Sequence, residues 1–312
     1  MQYDEIQYLP EEDDPSLTLE SEELVIKVID NTGLLAPPVD SASYFNASHR
    51  VTPFVHHLGY HGIRTLYSRE EKRNLVVPFA SWLNLQGATL EGIDSDLVDE
   101  RAWAGHGRGW PMRLDQQGEK AVITLDPLPS MQMTYRLELQ AADPDAVDFS
   151  IRFNFGRRPE SGPVKFRASW PCYMNAWDDV RLFYPRGESE ENWEWASIGE
   201  KPDLILGETV SYQHQQQGFF AEDQAIPLAY GRLGERALSL MFSDPSVRFF
   251  TVNAGGHMFF SPVQNPAWDF EWIIEDYPTD EEVGFEGRII YSRFESEDAI
   301  LQRYLKWKNQ QD

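Results

Sequence analysis

The residue pattern points to an all-β chain: a large antiparallel sandwich closed by a C-terminal helix. Three features lead there. Val147, Phe149, Ile151, Phe153 and Phe155 alternate without a break with Asp148, Ser150, Arg152 and Asn154, the period of a strand with one buried and one polar face. Short strand-like runs follow one another from Glu23 to about Phe294, many divided by Pro-Asp, Gly-Glu, Gly-Gly or Asn-Pro, which are turn formers. Helical periodicity is confined to SEDAILQRYLKWKN at the end.

Residues 1–22 read as an acidic surface arm carrying Pro10 and Pro15, able to pack through Tyr3, Ile6, Tyr8 and Leu9. ELVIKVID opens the strands, followed by HGIRTLYS and RNLVVPF, then by KAVITLDPL and MQMTYRLELQ on either side of a Pro127–Pro129 turn. A second clean alternation sets Trp268, Phe270, Trp272 and Ile274 against Asp269, Glu271 and Ile273. VKFRASW, VRLFYP, LAYGRL, ALSLMFS, RFFTVN, HMFFSP and FEGRIIYSRF complete the set. In the terminal helix Ser296 is placed as the cap, acids fill the first turn, and Ile300, Leu301, Tyr304 and Leu305 form the apolar stripe. No repeat and no Gly/Ser- or Pro-rich linker divides the chain, so residues 23–312 are expected to be one domain. More than a dozen strands require two packed sheets, because a single open sheet of that size curls or splits.

Composition narrows the function. The 312 residues are 41% hydrophobic and 13% aromatic, enough to build a sizeable core. Ten Trp and thirteen Tyr suit either a wide inter-sheet core or a large binding surface. With 51 acidic residues against 27 Lys and Arg, the net charge is −24. Such a field repels nucleic acid and anionic lipid, and its simplest role is solubility. Cys172 is the sole cysteine, which excludes an intrachain disulfide and a multi-thiolate zinc site. The N-terminus has no basic and apolar leader pattern and no apolar run reaches membrane length, so a cytoplasmic location is expected by elimination. Oligomeric state is not legible.

Residues 49 to 73 hold the densest polar cluster: His49, His56, His57 and His61 with Arg50, Arg64, Arg69, Lys72 and Arg73, opposed only by Glu70 and Glu71. Lining a concavity, this cationic island would attract a phosphate or a sugar carboxylate; otherwise it neutralises surface acids. His57 and His61 would share a helix face, but Pro53, Gly59 and Gly62 argue for loop and strand, where they stand about 13 Å apart. No metal is assigned, although a three-histidine site with His49 or His56 stays open. Asp178, Asp179 and Asn175 match no defined calcium loop. Trp193 and Trp195, beside Glu191 and Glu194, are expected on an exposed loop, as sugar-stacking rings or as a lid on the core edge.

His106 lies between Gly105 and Gly107, with Arg108, Trp110 and Arg113 close behind and the strand Val122-Ile123-Thr124-Leu125 after a polar turn. This order resembles the aldose 1-epimerase (galactose mutarotase) superfamily, nearest the branch of hexose-6-phosphate epimerases. ASWPCYMNAWDD adds Tyr173, Met174 and Asn175, similar to a triplet that follows the family's catalytic histidine. VQNPAWDFEW followed by GFEGRIIY resembles the closing region. The resemblance spans about residues 85 to 300. It implies a galactose mutarotase-like supersandwich, His106 near the sugar ring oxygen and anomeric hydroxyl, and Glu286 as general base with Glu271 the alternative. The chain departs where the family carries its general-acid histidine, having Trp170, Pro171 and Cys172 instead.

Opening a cyclic hemiacetal needs a base at the anomeric hydroxyl and an acid at the ring oxygen, and no metal or organic cofactor. The expected catalytic residues are therefore His106, Glu286, His57 and His61. Arg64, Arg69, Arg108, Trp110, Tyr173, Asn175 and Glu271 are the expected substrate contacts. The expected function is epimerisation of a free, phosphorylated or acidic sugar. The alternatives are a lyase or hydrolase on an acidic oligosaccharide, using the histidines near 56 to 61, and a non-catalytic sugar-binding protein. The fold hosts all three.

Overall fold

The computed structural model describes residues 16–29, 61–76, 81–85, 87–91, 112–128, 132–142, 144–156, 165–175, 177, 179–199, 218–252 and 266–311. These form three antiparallel sheets and one helix, an all-β sandwich as expected. In the four-stranded sheet, β1 (Ser16–Glu20), β2 (Leu24–Ile29), β3 (Gly62–Ser68) and β4 (Arg73–Asn74) pair in sequence order. A five-stranded sheet runs β13 (Gly218–Phe220), β16 (Val247–Val252), β17 (Ala267–Glu275), β10 (Lys165–Trp170), β5 (Gly87–Glu91). The nine-stranded sheet begins β12 (Asn192–Ile198), β11 (Leu182–Ser189), β14 (Leu228–Leu233), β15 (Arg236–Phe242) and β18 (Val283–Arg293). It ends with β9 (Ala146–Phe155), β8 (Met133–Ala142), β7 (Lys120–Leu128) and β6 (Met112–Gln117).

Side-chain alternation decides which faces meet. On β9 the residues Val147, Phe149, Ile151, Phe153 and Phe155 are all buried. From the five-stranded sheet, β10 contributes Phe166 and Trp170 to the same core, and β17 contributes Trp268, Phe270 and Trp272. Rings interlock across the gap: Phe153 lies 5.1 Å from Phe166 and 5.7 Å from Trp272, Phe242 lies 4.6 Å from Phe270, and Phe285 lies 5.2 Å from Trp272. Each such pair adds about 0.5–1.5 kcal/mol beyond its buried area. The abundance of Trp is thus largely accounted for by the interior, where Trp82, Trp170, Trp177, Trp268 and Trp307 are fully buried.

Bridges Val76↔Met174 and Tyr173↔Ala267 join the four-stranded sheet to the five-stranded one. Arg236 on β15 ties it to the nine-stranded sheet: its buried guanidinium pairs with Glu23 at 2.8 Å and with Glu70, and lies over the Tyr291 ring. Helix α1 (Glu297–Lys308) covers part of the outer face of the large sheet. Ser296 caps it by accepting the Ala299 N–H at 3.1 Å.

Several local expectations are corrected. β1 lies inside the stretch read as the acidic arm, because Leu19 is buried against the core while its neighbours face out. Of RNLVVPF, the described residues 73–76 form the two-residue β4 and a bridge at Val76. Trp193 and Trp195 sit on β12 rather than a loop, and Trp195 packs edge-on against Tyr230 at 5.2 Å. β7 runs through Pro127, with the register shift between Leu125 and Leu128 absorbing the proline. Trp307, not Leu305, completes the buried stripe of α1. HMFFSP lies outside the described residues.

Gly231 on β14 faces the core, where an added Cβ would stand 1.9 Å from the Trp268 ring. That indole cannot swing aside freely, since its Nε1 donates to the Val180 carbonyl at 3.1 Å and its ring packs T-shaped with Trp177, centroids 4.6 Å apart. Gly231→Ala is therefore expected to destabilise the protein by about 1–3 kcal/mol in urea denaturation. An unchanged midpoint would contradict this packing.

Candidate functional site

Because Trp268, Phe270 and Trp272 turn toward the nine-stranded sheet, Asp269, Glu271 and Ile273 turn to the opposite, outward face of the five-stranded sheet, where Asp269 and Glu271 are nevertheless covered by the protein. Residues two apart on one strand face lie about 7 Å apart, so two carboxyl groups share this face as neighbours. Strand register supplies their surroundings. Glu271 is opposite Ser169 on β10 and Arg248 on β16; Asp269 is opposite Phe250, which is opposite Phe220 on β13.

The two carboxyl groups have different environments. Glu271 is buried and receives Arg167 Nε at 2.6 Å and a second bond from its Nη2. Asp269 is 5% exposed, and its one described partner is the Cys172 N–H, which donates to Oδ1 at 2.8 Å. Burial pushes the Asp269 carboxyl up to about 7, outweighing the backbone N–H that favours its charged form. A carboxyl group half protonated near neutrality thus stands beside a carboxylate held in an ion pair, the usual way that two acids are given opposite roles.

Glu286 faces the other way. Its neighbour Phe285 is in the core, so the Glu286 side chain projects from the outer face of the nine-stranded sheet. There a groove of about 410 Å³ is lined by Lys120, Arg136, Glu138, Ser150, Arg152, Glu282 and Glu286. The charges in it are paired with one another: Glu138 with Lys120 and Arg136, each at 2.7 Å, and Glu286 with Arg152. The Lys120 hydrogen bond, more than any other contact, holds the Glu138 carboxyl below its ordinary range. Both layers of the sandwich lie between Glu286 and Glu271, so the two do not face one cavity.

His61 is in the interior, with no exposed surface, edge-on to Tyr135 at 6.0 Å. Its Nε2 accepts the Leu85 N–H at 3.2 Å, and burial lowers its pKa to about 3, so the ring is neutral at physiological pH. Among the substrate candidates, Arg69 is exposed and ion-paired with Glu20, and Arg64 is half-buried on β3. Tyr173 and Asn175 hold the chain after β10 in place. The Tyr173 carbonyl accepts Trp82 Nε1 at 3.1 Å, and Asn175 Nδ2 donates to the Asn74 carbonyl at 2.9 Å. His57, His106, Arg108 and Trp110 lie outside the described residues. Among the described residues, no group of three or more His, Cys, Asp or Glu is placed to hold a metal. Burial, then the charge of Asp269, push the Cys172 thiol well up, so it is no nucleophile at neutral pH.

No protein-family model matches the chain, and no curated protein matches it in sequence. Among solved structures, 89% of the chain superposes on 99% of a candidate aldose 1-epimerase from Escherichia coli K12, with a TM-score of 0.50 at 9% identity. The chain has a galactose mutarotase-like fold. It also matches, at a TM-score of 0.44 and 8% identity, 38% of the length of a 4-alpha-glucanotransferase from Thermococcus litoralis. A heparan sulfate lyase from Pedobacter heparinus matches at 0.38 and 10%, over 37% of its length.

Asp269 is not among the residues that the sequence singles out. Its signal was present: in Trp268-Asp269-Phe270-Glu271-Trp272 the two acids fall at alternate positions, which puts both on one face. The pattern does not reveal the burial that raises Asp269.

Asp269 has a consequence for stability. Its folded pKa of about 7 lies above the ordinary 3.8, so the unfolded chain releases this proton first as pH rises. Stability from this group is intact below pH ~4, falls between ~4 and ~7, and stays reduced above. Asp269→Asn keeps an acceptor for the Cys172 N–H and removes the titration. Its stability relative to the unmodified protein is expected to rise by up to about 4 kcal/mol between pH 4 and pH 8, read from urea unfolding. A pH-independent difference would rule out the raised carboxyl.

Proposed function

We propose that this chain is a carbohydrate-active protein whose sugar site is the outer face of the five-stranded sheet, with Asp269 as acid and Glu271 as base. The observation that carries the proposal is the placement of the buried Asp269 carboxyl, with the Cys172 N–H as its described partner, on the same strand face as Glu271, which Arg167 pairs; burial raises the Asp269 carboxyl to about 7. The chemistry is that of aldose 1-epimerisation, and the resemblance and the fold support it. Glu271 takes the proton of the anomeric hydroxyl as the C1–O5 bond breaks, and Asp269 gives its proton to O5. The result is an open-chain aldehyde. Rotation about C1–C2 and return of both protons close the ring as the other anomer, with atoms and charge restored. Asp269 fills the part for which the sequence offers no histidine at Trp170, Pro171 and Cys172.

Arg167 fixes the Glu271 carboxylate, and Ser169 stands opposite it as a hydroxyl donor or acceptor. His106 enters on the strength of the resemblance, as a contact to the ring oxygen and anomeric hydroxyl. Glu286, paired with Arg152 on the far side of the sandwich, has no part in this scheme.

Exchange NMR of anomers tests the proposal over a panel of neutral, phosphorylated and uronic sugars. At least one sugar is expected to interconvert faster than in buffer, with the rate falling above pH ~7 as Asp269 loses its proton. Asp269→Asn and Glu271→Gln are each expected to lower that rate about 10²–10⁴-fold, His106→Ala to weaken it, and Glu286→Gln to leave it unchanged. Loss of activity in Glu286→Gln alone would move the site to the other sheet. Binding without turnover would leave a sugar-binding protein, and no binding at millimolar concentration would end the carbohydrate reading.

A further inference from the structure

On the same sheet face as Asp269 are two aromatic rings that the core does not use. Phe250 alternates with the buried Phe249 and so projects outward; Phe220, opposite it on β13, is 45% exposed. The rings are stacked, with centroids 5.4 Å apart and planes at 29°. Among the described residues only Phe220 and Leu305 are large hydrophobic side chains with this degree of exposure. Leu305 is on α1, beside a helix face already packed. Phe220 instead extends a row, Phe220–Phe250–Asp269, that crosses three neighbouring strands in register. One strand spacing, about 5 Å, separates Phe250 from the Asp269 position.

We infer that Phe250 and Phe220 form a stacking platform for the C–H-rich face of a pyranose, and that the platform orients the ring with its hydroxyl edge toward Asp269 and Glu271. The inference rests on the proposed sugar site and adds how the ring lies there, with contiguous C–H groups on the face that meets Phe250 and Phe220. The chemistry fits on both sides. An aromatic face is weakly negative and receives polarised C–H groups, whereas hydroxyls demand the polar groups found one row away. Arg248, exposed and anchored through Nη1 to the Gln224 carbonyl at 3.2 Å, lies in the next row between the platform and Glu271. A sugar lying there would cover the exposed apolar surface, which otherwise remains in water at a cost. Phe250 is in this account a positioning residue.

The test uses the full chain and the sugar panel above, followed by saturation-transfer NMR with irradiation of aromatic protons. The sugars that bind are expected to receive saturation at the C–H protons of one ring face. Phe250→Leu and Phe220→Ala are expected to weaken binding about tenfold, from roughly 1.4 kcal/mol of lost stacking. Phe250→Tyr is expected to restore both the affinity and the transfer. Phe220 is exposed, so its replacement reads binding without disturbing the fold, and Phe250→Leu keeps an apolar side chain. If sugars bind the unmodified protein and the two phenylalanine variants bind them equally well, or no ring-face protons are saturated, the platform is wrong while the sugar site stands. If no sugar binds the unmodified protein, both fall.

Discussion

Interlocking of aromatic rings between the five-stranded and nine-stranded sheets is the constraint on which the rest of the molecule depends. Trp170, Phe270, Trp272, Phe153, Phe242 and Phe285 meet one another at centroid distances of 4.6 to 6.4 Å. Close-packed interiors of this kind tolerate little displacement. Shifting β17 by one residue would carry Asp269 and Glu271 into that interior and Trp268, Phe270 and Trp272 into water. The packing that holds the sheets together therefore also fixes which side chains can meet a ligand.

It also divides the acidic groups into two systems with no common cavity. On the nine-stranded sheet the carboxylates of Glu138 and Glu286 are matched by Lys120, Arg136 and Arg152, a charge lattice that is partly exposed and contributes modestly to stability. On the five-stranded sheet Glu271 is paired by Arg167, while Asp269 is buried with a backbone N–H as its described partner. The second arrangement is the costlier one, because a buried carboxyl satisfied by one hydrogen bond gives up hydration without a counterion. Costly polar groups of this kind concentrate at functional sites.

The sandwich, most of its strands and the capped terminal helix were legible because they follow from alternation and from short-range signals such as Ser296 before two acids. Long-range placement is not legible in the same way. Glu286 and Glu271 looked interchangeable in sequence, each an acid flanked by aromatic or small residues on a strand. Only the pairing of β18 with β9 and of β17 with β10 puts them on opposite surfaces. His61 looked like a proton donor by its residue type and its basic neighbours. Its fate as a neutral core group depends on Tyr135 and Leu85, many residues away. Beside Glu191 and Glu194, Trp193 and Trp195 read as loop residues, yet their alternation is that of an edge strand, with the polar side facing water. Residues 49–60 and 101–111 hold His57, His106, Arg108 and Trp110, outside the described residues.

The most direct measurement is a crystal structure of the protein with a bound sugar from the panel that exchanges anomers. The pyranose is expected on the outer face of the five-stranded sheet, its C–H face against Phe250 and its ring oxygen or anomeric hydroxyl within hydrogen-bond reach of Asp269 and Glu271. A sugar seated instead in the groove of Arg152 and Glu286 would contradict this placement.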